Sequence, residues 1–241
     1  MKFLVDCPRC SQQGITARRY LVSYQDTGRY NVPCEHGHKD VLVLDQQKFE
    51  ILFEIGANAI LDEYFREAVS SFTSSLERTF EFFLKSVFFQ KSMNTEMNAM
   101  WKQMSNQSER QLGAFLSIYS MSFGTLPRLL SNKEVQFRNE VIHKGKVPTR
   151  DEAIAFGQSV LEIIRGIVKM ALTNFPDGVL QTKIQHNQEC RLPSDPQDLF
   201  AGFSTITILN LSVTGDDWHE RTLERALSDL AQIRKILSTP Q

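Results

Sequence analysis

The chain has 241 residues, a net charge of −1, 41% hydrophobic residues and 23% charged residues. That is the composition of an ordinary globular protein with enough chain for a real core, and it excludes a global basic field that would draw nucleic acid to any surface. Charged residues interrupt the most apolar stretch, Phe49 to Phe89, and MKFLVDCPRC lacks the apolar run of a signal peptide; a cytoplasmic protein with no membrane partner is expected.

Residues 1–44 are turn-rich and β-flavoured, with two or three short strands expected around ITARRYLVSY and VLVLD. From Gln46 the pattern turns helical. Phe49, Leu52, Phe53, Gly56, Ala59 and Ile60 follow three-four spacing, and a second set runs from Ala68 to Val87. A break is placed near Asp62–Tyr64, because an unbroken run to Gln90 would be long for a globular helix. The phenylalanine surplus of the second helix reads first as a thick core stripe, and second as aromatic surface for a dimer. Residues 93–123 form one or two further helices, with Ser108 as a cap and Gly124 and Pro127 closing the segment. Ser131-Asn-Lys-Glu134 is a capping box that opens a short helix carrying Arg138, which Gly145 and Pro148 end. Thr149-Arg-Asp-Glu152 opens another helix, running to about Leu172 before the turn NFPDG. A polar loop with Pro193 and Pro196 then leads to a strand-like run, STITILNLSV, a turn at Gly215 and Asp216, and a last helix from about Trp218 to Leu237. The expected fold is mainly α: a four- or five-helix bundle at 45–175, a small β zinc-ribbon-like module at 1–44 and a small α/β extension at 176–241.

Three of the four cysteines fall within the first 34 residues, which in a reducing compartment points to metal rather than disulfides. Cys7-Pro-Arg-Cys10 and Cys34-Glu-His-Gly-His38 offer Cys7, Cys10, Cys34 and one histidine as tetrahedral ligands for a structural zinc. His38 is favoured over His36 because Gly37 lets the chain fold back, although sequence does not separate the two. A closed set of four leaves no position for substrate, so the metal is assigned to folding, and a zinc hydrolase ranks behind the other readings. Arg9, Arg18, Arg19 and Arg29 make this module the best local candidate for touching phosphate. Cys190 reads as an unpaired thiol.

The segment Arg138-Asn-Glu-Val-Ile-His143 holds groups suited to cleaving RNA without a metal. Histidine can take or give the proton of the 2′-hydroxyl or the leaving 5′-oxygen, and a guanidinium suits the charge that grows on the phosphoryl oxygens. On a straight helix the two side chains diverge by about 140°. They converge either where the helix ends at His143 or across a symmetric dimer.

Two stretches resemble the HEPN superfamily of helical, nucleic-acid-associated domains: DEYFREAVSSFTSSLERTFEFFLK at 62–85 and FRNEVIHKGKVPTRDEA at 137–153, within a matching region of 49–172. The resemblance implies a HEPN-like bundle and a homodimeric, metal-independent endoribonuclease, of the kind found in toxin–antitoxin and antiviral systems. Arg138 and His143 of two subunits would then line one cleft, with an antitoxin or defence protein as partner. Asn139 matches the polar position after the arginine, where it would hold the phosphate or orient the histidine. Glu77 is offered as a supporting acid. Some members of the superfamily do not cleave RNA, so the alternative is a binding or adaptor protein built on the same frame.

Overall fold

The computed structural model describes residues 1–16, 18–192, 200–212 and 220–238. Near the N-terminus β1 (Lys2–Val5) pairs antiparallel with β2 (Tyr20–Ser23), Val5 lying opposite Tyr20. Between them CPRC winds into a short helix, α1 (Pro8–Gln12), whose first position suits proline because that N–H has no intrahelical partner. β3 (Arg29–Asn31) pairs antiparallel with β4 (Val41–Leu44). On its other edge β4 pairs in parallel with β5 (Phe200–Phe203), Val41 lying opposite Phe200 and Leu44 opposite Phe203. All four residues of β4 are buried, as expected of a central strand covered on both faces. The rings of Phe3, Tyr30 and Phe203 meet edge-on or tilted at 5.3–5.8 Å, joining the two small sheets into one core.

The rest is helical, so the chain is mainly α with small β parts, as its sequence predicts. α2 (Lys48–Leu61) is buried on two sides: Ile51 enters the β core, while Phe49, Phe53 and Ala57 enter the bundle. The chain reverses where expected, at Asp62–Tyr64, with Glu63 at φ 63°. α3 (Phe65–Gln90) is the central helix. Around it pack α2, α4 (Asn94–Met104), α5 (Ser108–Phe123), α6 (Asn132–His143), α7 (Arg150–Asn174) and α8 (Pro176–Glu189). α9 (Leu223–Ser238) lies on α7 and α2.

The phenylalanines of α3 go into the core. Phe72, Phe80, Phe82, Phe83 and Phe89 are all buried, and Phe80 stacks on Phe115 at 4.5 Å. Gly56 and Gly157 leave room for Phe72, since a Cβ at either position would come within 2.6 Å of its ring.

Within 45–175 the main core draws, among the described residues, on five helices, α2, α3, α5, α6 and α7, and α8 and α9 add to it from outside that range. Two expectations are corrected. Residues 176–189 are helical: the proline of NFPDG occupies the first turn of α8, starting a helix instead of only ending one. Of STITILNLSV, residues 204–212 are irregular, and the strand lies just upstream as β5. The alternation misleads because the backbone donors of this run go to side chains of and before α2 rather than to a ladder. Thr205 N–H donates to Gln46 at 3.2 Å, Ile208 N–H to Glu54 at 2.9 Å and Leu211 N–H to Glu50 at 2.7 Å. The turn at Gly215 and Asp216, the loop prolines 193 and 196, and the expected helix start at Trp218 lie outside the described residues.

Candidate functional site

Cys7 and Cys10 flank the first turn of α1, and Cys34 and His38 come from the turn before β4. Their ligand atoms all lie within 4.8 Å of one another. His38 Nδ1 stands 3.4 Å from the sulfurs of Cys7 and Cys10 and 3.5 Å from that of Cys34. Metal–sulfur and metal–nitrogen bonds of about 2.3 and 2.0 Å in a tetrahedron imply ligand separations of about 3.5–3.8 Å. The donor set therefore fits a four-coordinate metal, with His38 closing the group. His36 Nδ1 lies at the margin, 3.4 Å from Cys10 and 4.0 Å from Cys34. Gly37, at φ +79°, supplies the expected reversal.

Without a metal the three thiols divide. Burial pushes Cys7 up to about 12, helped by the neighbouring Asp40 carboxylate. Burial also raises Cys34, but the N–H groups of His36 and His38 outweigh it and bring that thiol down to about 6. Cys34 is thus the thiolate most available to capture a cation, which would then displace the protons of its neighbours. Asp40 is the residue that spacing did not reveal. It is buried, accepts from Cys7 Sγ at 3.1 Å and pairs with Arg9 Nε at 2.9 Å. That ion pair braces α1 against the turn. A lone aspartate two positions beyond His38 carries no sequence signal of such a role.

Three of the four arginines proposed for phosphate, Arg9, Arg18 and Arg29, are engaged within the module. Arg18 pairs with Glu35 at 3.0 Å, Arg9 with Asp40, and Arg29 donates to Asn31 at 3.3 Å.

The second candidate site is on α6. Both expected capping boxes form: Ser131 Oγ accepts from Glu134 N–H at 3.4 Å and Thr149 Oγ1 from Glu152 N–H at 3.2 Å, with each glutamate closing back on its cap. The helix is held to the bundle by buried Val141 and by Phe137, whose ring meets that of Phe156 at 5.6 Å. It ends at His143, after which Gly145 takes φ +76° and the N–H of Lys146 turns back to the Glu140 carbonyl at 3.0 Å. The stop after His143 lies where the glycine predicts.

Arg138 is half-buried. Its guanidinium clasps Asn139 Oδ1 through Nε at 3.1 Å and Nη2 at 2.7 Å, which fixes the plane of the fork. Glu77 on α3 lies within electrostatic reach: burial raises its carboxyl, while Arg78 and Arg138 pull it back down. The fold thus groups Arg138, Asn139 and Glu77. It does not bring His143 to them. Helix α6 is regular through His143, which is exposed and sits about 140° around the axis and about 7.5 Å along it from Arg138.

No helix among the described residues is long and apolar enough to cross a membrane. Comparisons with protein-family models, curated proteins and solved structures found no match to this chain.

Proposed function

We propose that the chain is a metal-independent endoribonuclease of the HEPN type, acting as a homodimer, with a structural zinc in its N-terminal module. The observation that carries this reading is the Arg138 fork, held by Asn139 beside Glu77 on a helix that stops at an exposed His143. In the proposed reaction the RNA 2′-hydroxyl loses its proton to a base and attacks the adjacent phosphorus. The 5′-oxygen leaves with a proton, giving a 2′,3′-cyclic phosphate end. His143 serves as the proton-transfer group, and Arg138 stabilises the charge growing on the phosphoryl oxygens. Because the two side chains diverge on one helix, Arg138 of one subunit works with His143 of its partner. The resemblance extends the proposal to a toxin or antiviral effector held in check by an antitoxin or defence protein.

The test is incubation of purified protein with total RNA in excess EDTA, followed by end mapping. Cleavage should proceed, and Arg138→Ala or His143→Ala should each reduce it by roughly 10²-fold or more while the thermal midpoint stays put. A mixture of the two inactive variants should recover part of the activity, since a mixed dimer keeps one intact composite site. Absence of cleavage, or cleavage only with added magnesium, defeats the mechanism. RNA binding that survives both substitutions without product ends would favour the adaptor reading, for which the divergence of Arg138 and His143 within one chain is the supporting observation.

A further inference from the structure

Residues 205–212 lie along α2 without joining a regular element. Among the described residues, no backbone-to-backbone hydrogen bond ties this segment to the rest of the chain. Side chains hold it instead. At its start the Gln46 amide donates to the Thr205 carbonyl at 2.7 Å and accepts from the Thr205 N–H at 3.2 Å. Glu54 and Glu50 then accept from the N–H groups of Ile208 and Leu211, and Lys183 Nζ on α8 donates to Ser212 Oγ at 3.3 Å. Ile208 and Leu209 press into the core of the bundle. The flanks have anchors of their own: β5 pairs with β4, and the N–H of Leu223, at the start of α9, donates to Gln158 on α7 at 2.7 Å. The segment can therefore leave α2 while both flanks stay in place.

Two of its ties are buried acids. Glu50 and Glu54 are only 2% and 3% exposed, and among the described residues no ion pair reaches either one. The segment itself, TITILNLS, carries no charge. Around Glu50, Lys183 favours the ionised form and Asp45 opposes it, and the chain's amino group favours it weakly at Glu54. Arg165, Arg221 and Asp229 line the small cavity beside Glu54, where Arg221 pairs with Asp229 at 2.9 Å. Lys169 and Glu220 line the neighbouring cavity at Leu209–Leu211. These groups and the accepted N–H bonds offset only part of the desolvation, so burial raises both carboxyls to about 7. Lifting the segment returns water to both carboxylates. The closed form thus holds protons more tightly than the open one, and closure is strongest below about pH 4.5 and weakens as pH rises through about 7. We infer that residues 205–212 form a pH-released strap, seated on α2 in acid and opening progressively towards alkaline pH while the bundle stays folded. Release bares both carboxylates and the core surface under Ile208 and Leu209.

Hydrogen exchange of the full chain between pH 5 and 8, corrected for the intrinsic exchange rate at each pH, tests the strap. The opening equilibrium at 205–212 should rise by up to about tenfold per pH unit for each carboxylate between pH 5 and 7. The segment should also open more often than α3 throughout that range. Glu54→Gln, which can keep the bond from Ile208, should remove about one carboxylate's share of the rise. If that variant is unfolded by circular dichroism, the comparison of 205–212 with 65–90 in the wild-type chain decides alone. The inference is overturned by opening at 205–212 that does not change with pH, or by a Glu54→Gln variant that keeps the full slope. Exchange of the strap and α3 through one common opening would overturn it too, because the protons would then be linked to global unfolding alone.

Discussion

Glu50 and Glu54 lie one turn apart on α2, both buried, and each takes backbone N–H groups from the 205–212 segment. Burial raises both carboxyls to about 7, against the hydrogen bonds from Gln47 and Leu211 on Glu50 and from Ile208 on Glu54. A folded value above the unfolded one means that the native state binds more protons. These groups therefore contribute stability that is fully present below about pH 4.5 and lost as pH rises through about 7. Stability should fall by about 1.4 kcal/mol per pH unit for each carboxylate between those limits. Glu54 accepts on one oxygen, so Glu54→Gln can keep its bond to Ile208 while removing the titration. Urea unfolding across pH 5–8 should show the slope of that variant reduced by one proton. Glu50 accepts on both oxygens, from Gln47 at 2.6 Å and Leu211 at 2.7 Å, so Glu50→Gln should also lose a hydrogen bond and about 1 kcal/mol at every pH. An unchanged pH slope in Glu54→Gln would remove this account.

Among the elements, those fixed by neighbouring residues were legible and those fixed by distant partners were not. Capping boxes at Ser131 and Thr149 span three residues, so the starts of α6 and α7 could be read from local chemistry. The paired cysteines were legible for the same reason, whereas Asp40 joins the cluster only through the fold. α8 was missed because only Gly178, Val179 and Thr182 are buried, too few to write a helical stripe. Its seat is a close approach rather than a hydrophobic face: a Cβ on Gly178 would run into the backbone of α3 at Ser86 and Gln90. Gly178→Ala should force α8 off α3 and destabilise the chain by about 1–3 kcal/mol, measurable by denaturant titration. In the small β module Cys7 and Cys10 are part of the buried core as well as metal candidates. If a metal fills the Cys7–Cys10–Cys34–His38 cluster, chelation or Cys10→Ser should release about one equivalent of it. Limited proteolysis should then cut within 7–40 while the α3-centred bundle survives. Survival of the module intact after complete metal loss would mean that its core suffices alone.

At the scale of the whole molecule, the two ends of the chain close one structure. β5 completes the sheet begun by β3 and β4, and the following segment fills the acceptors of α2. The C-terminal residues are thus built into the fold. A chain ending at residue 192 would leave Glu50 and Glu54 buried without two of their donors, β4 with an open edge, and the main core without Leu223 and Leu227. Such a truncation should elute aggregated in size-exclusion chromatography and lack a cooperative thermal transition. The parallel pairing of β4 with β5 also sets a timetable. Strand β4 leaves the ribosome long before its partner, and at about 5–20 residues per second roughly ten seconds or more pass before residues 200–203 are made. Throughout that interval β4 presents unpaired backbone N–H and C=O groups along one edge, so this sheet can close only late in synthesis.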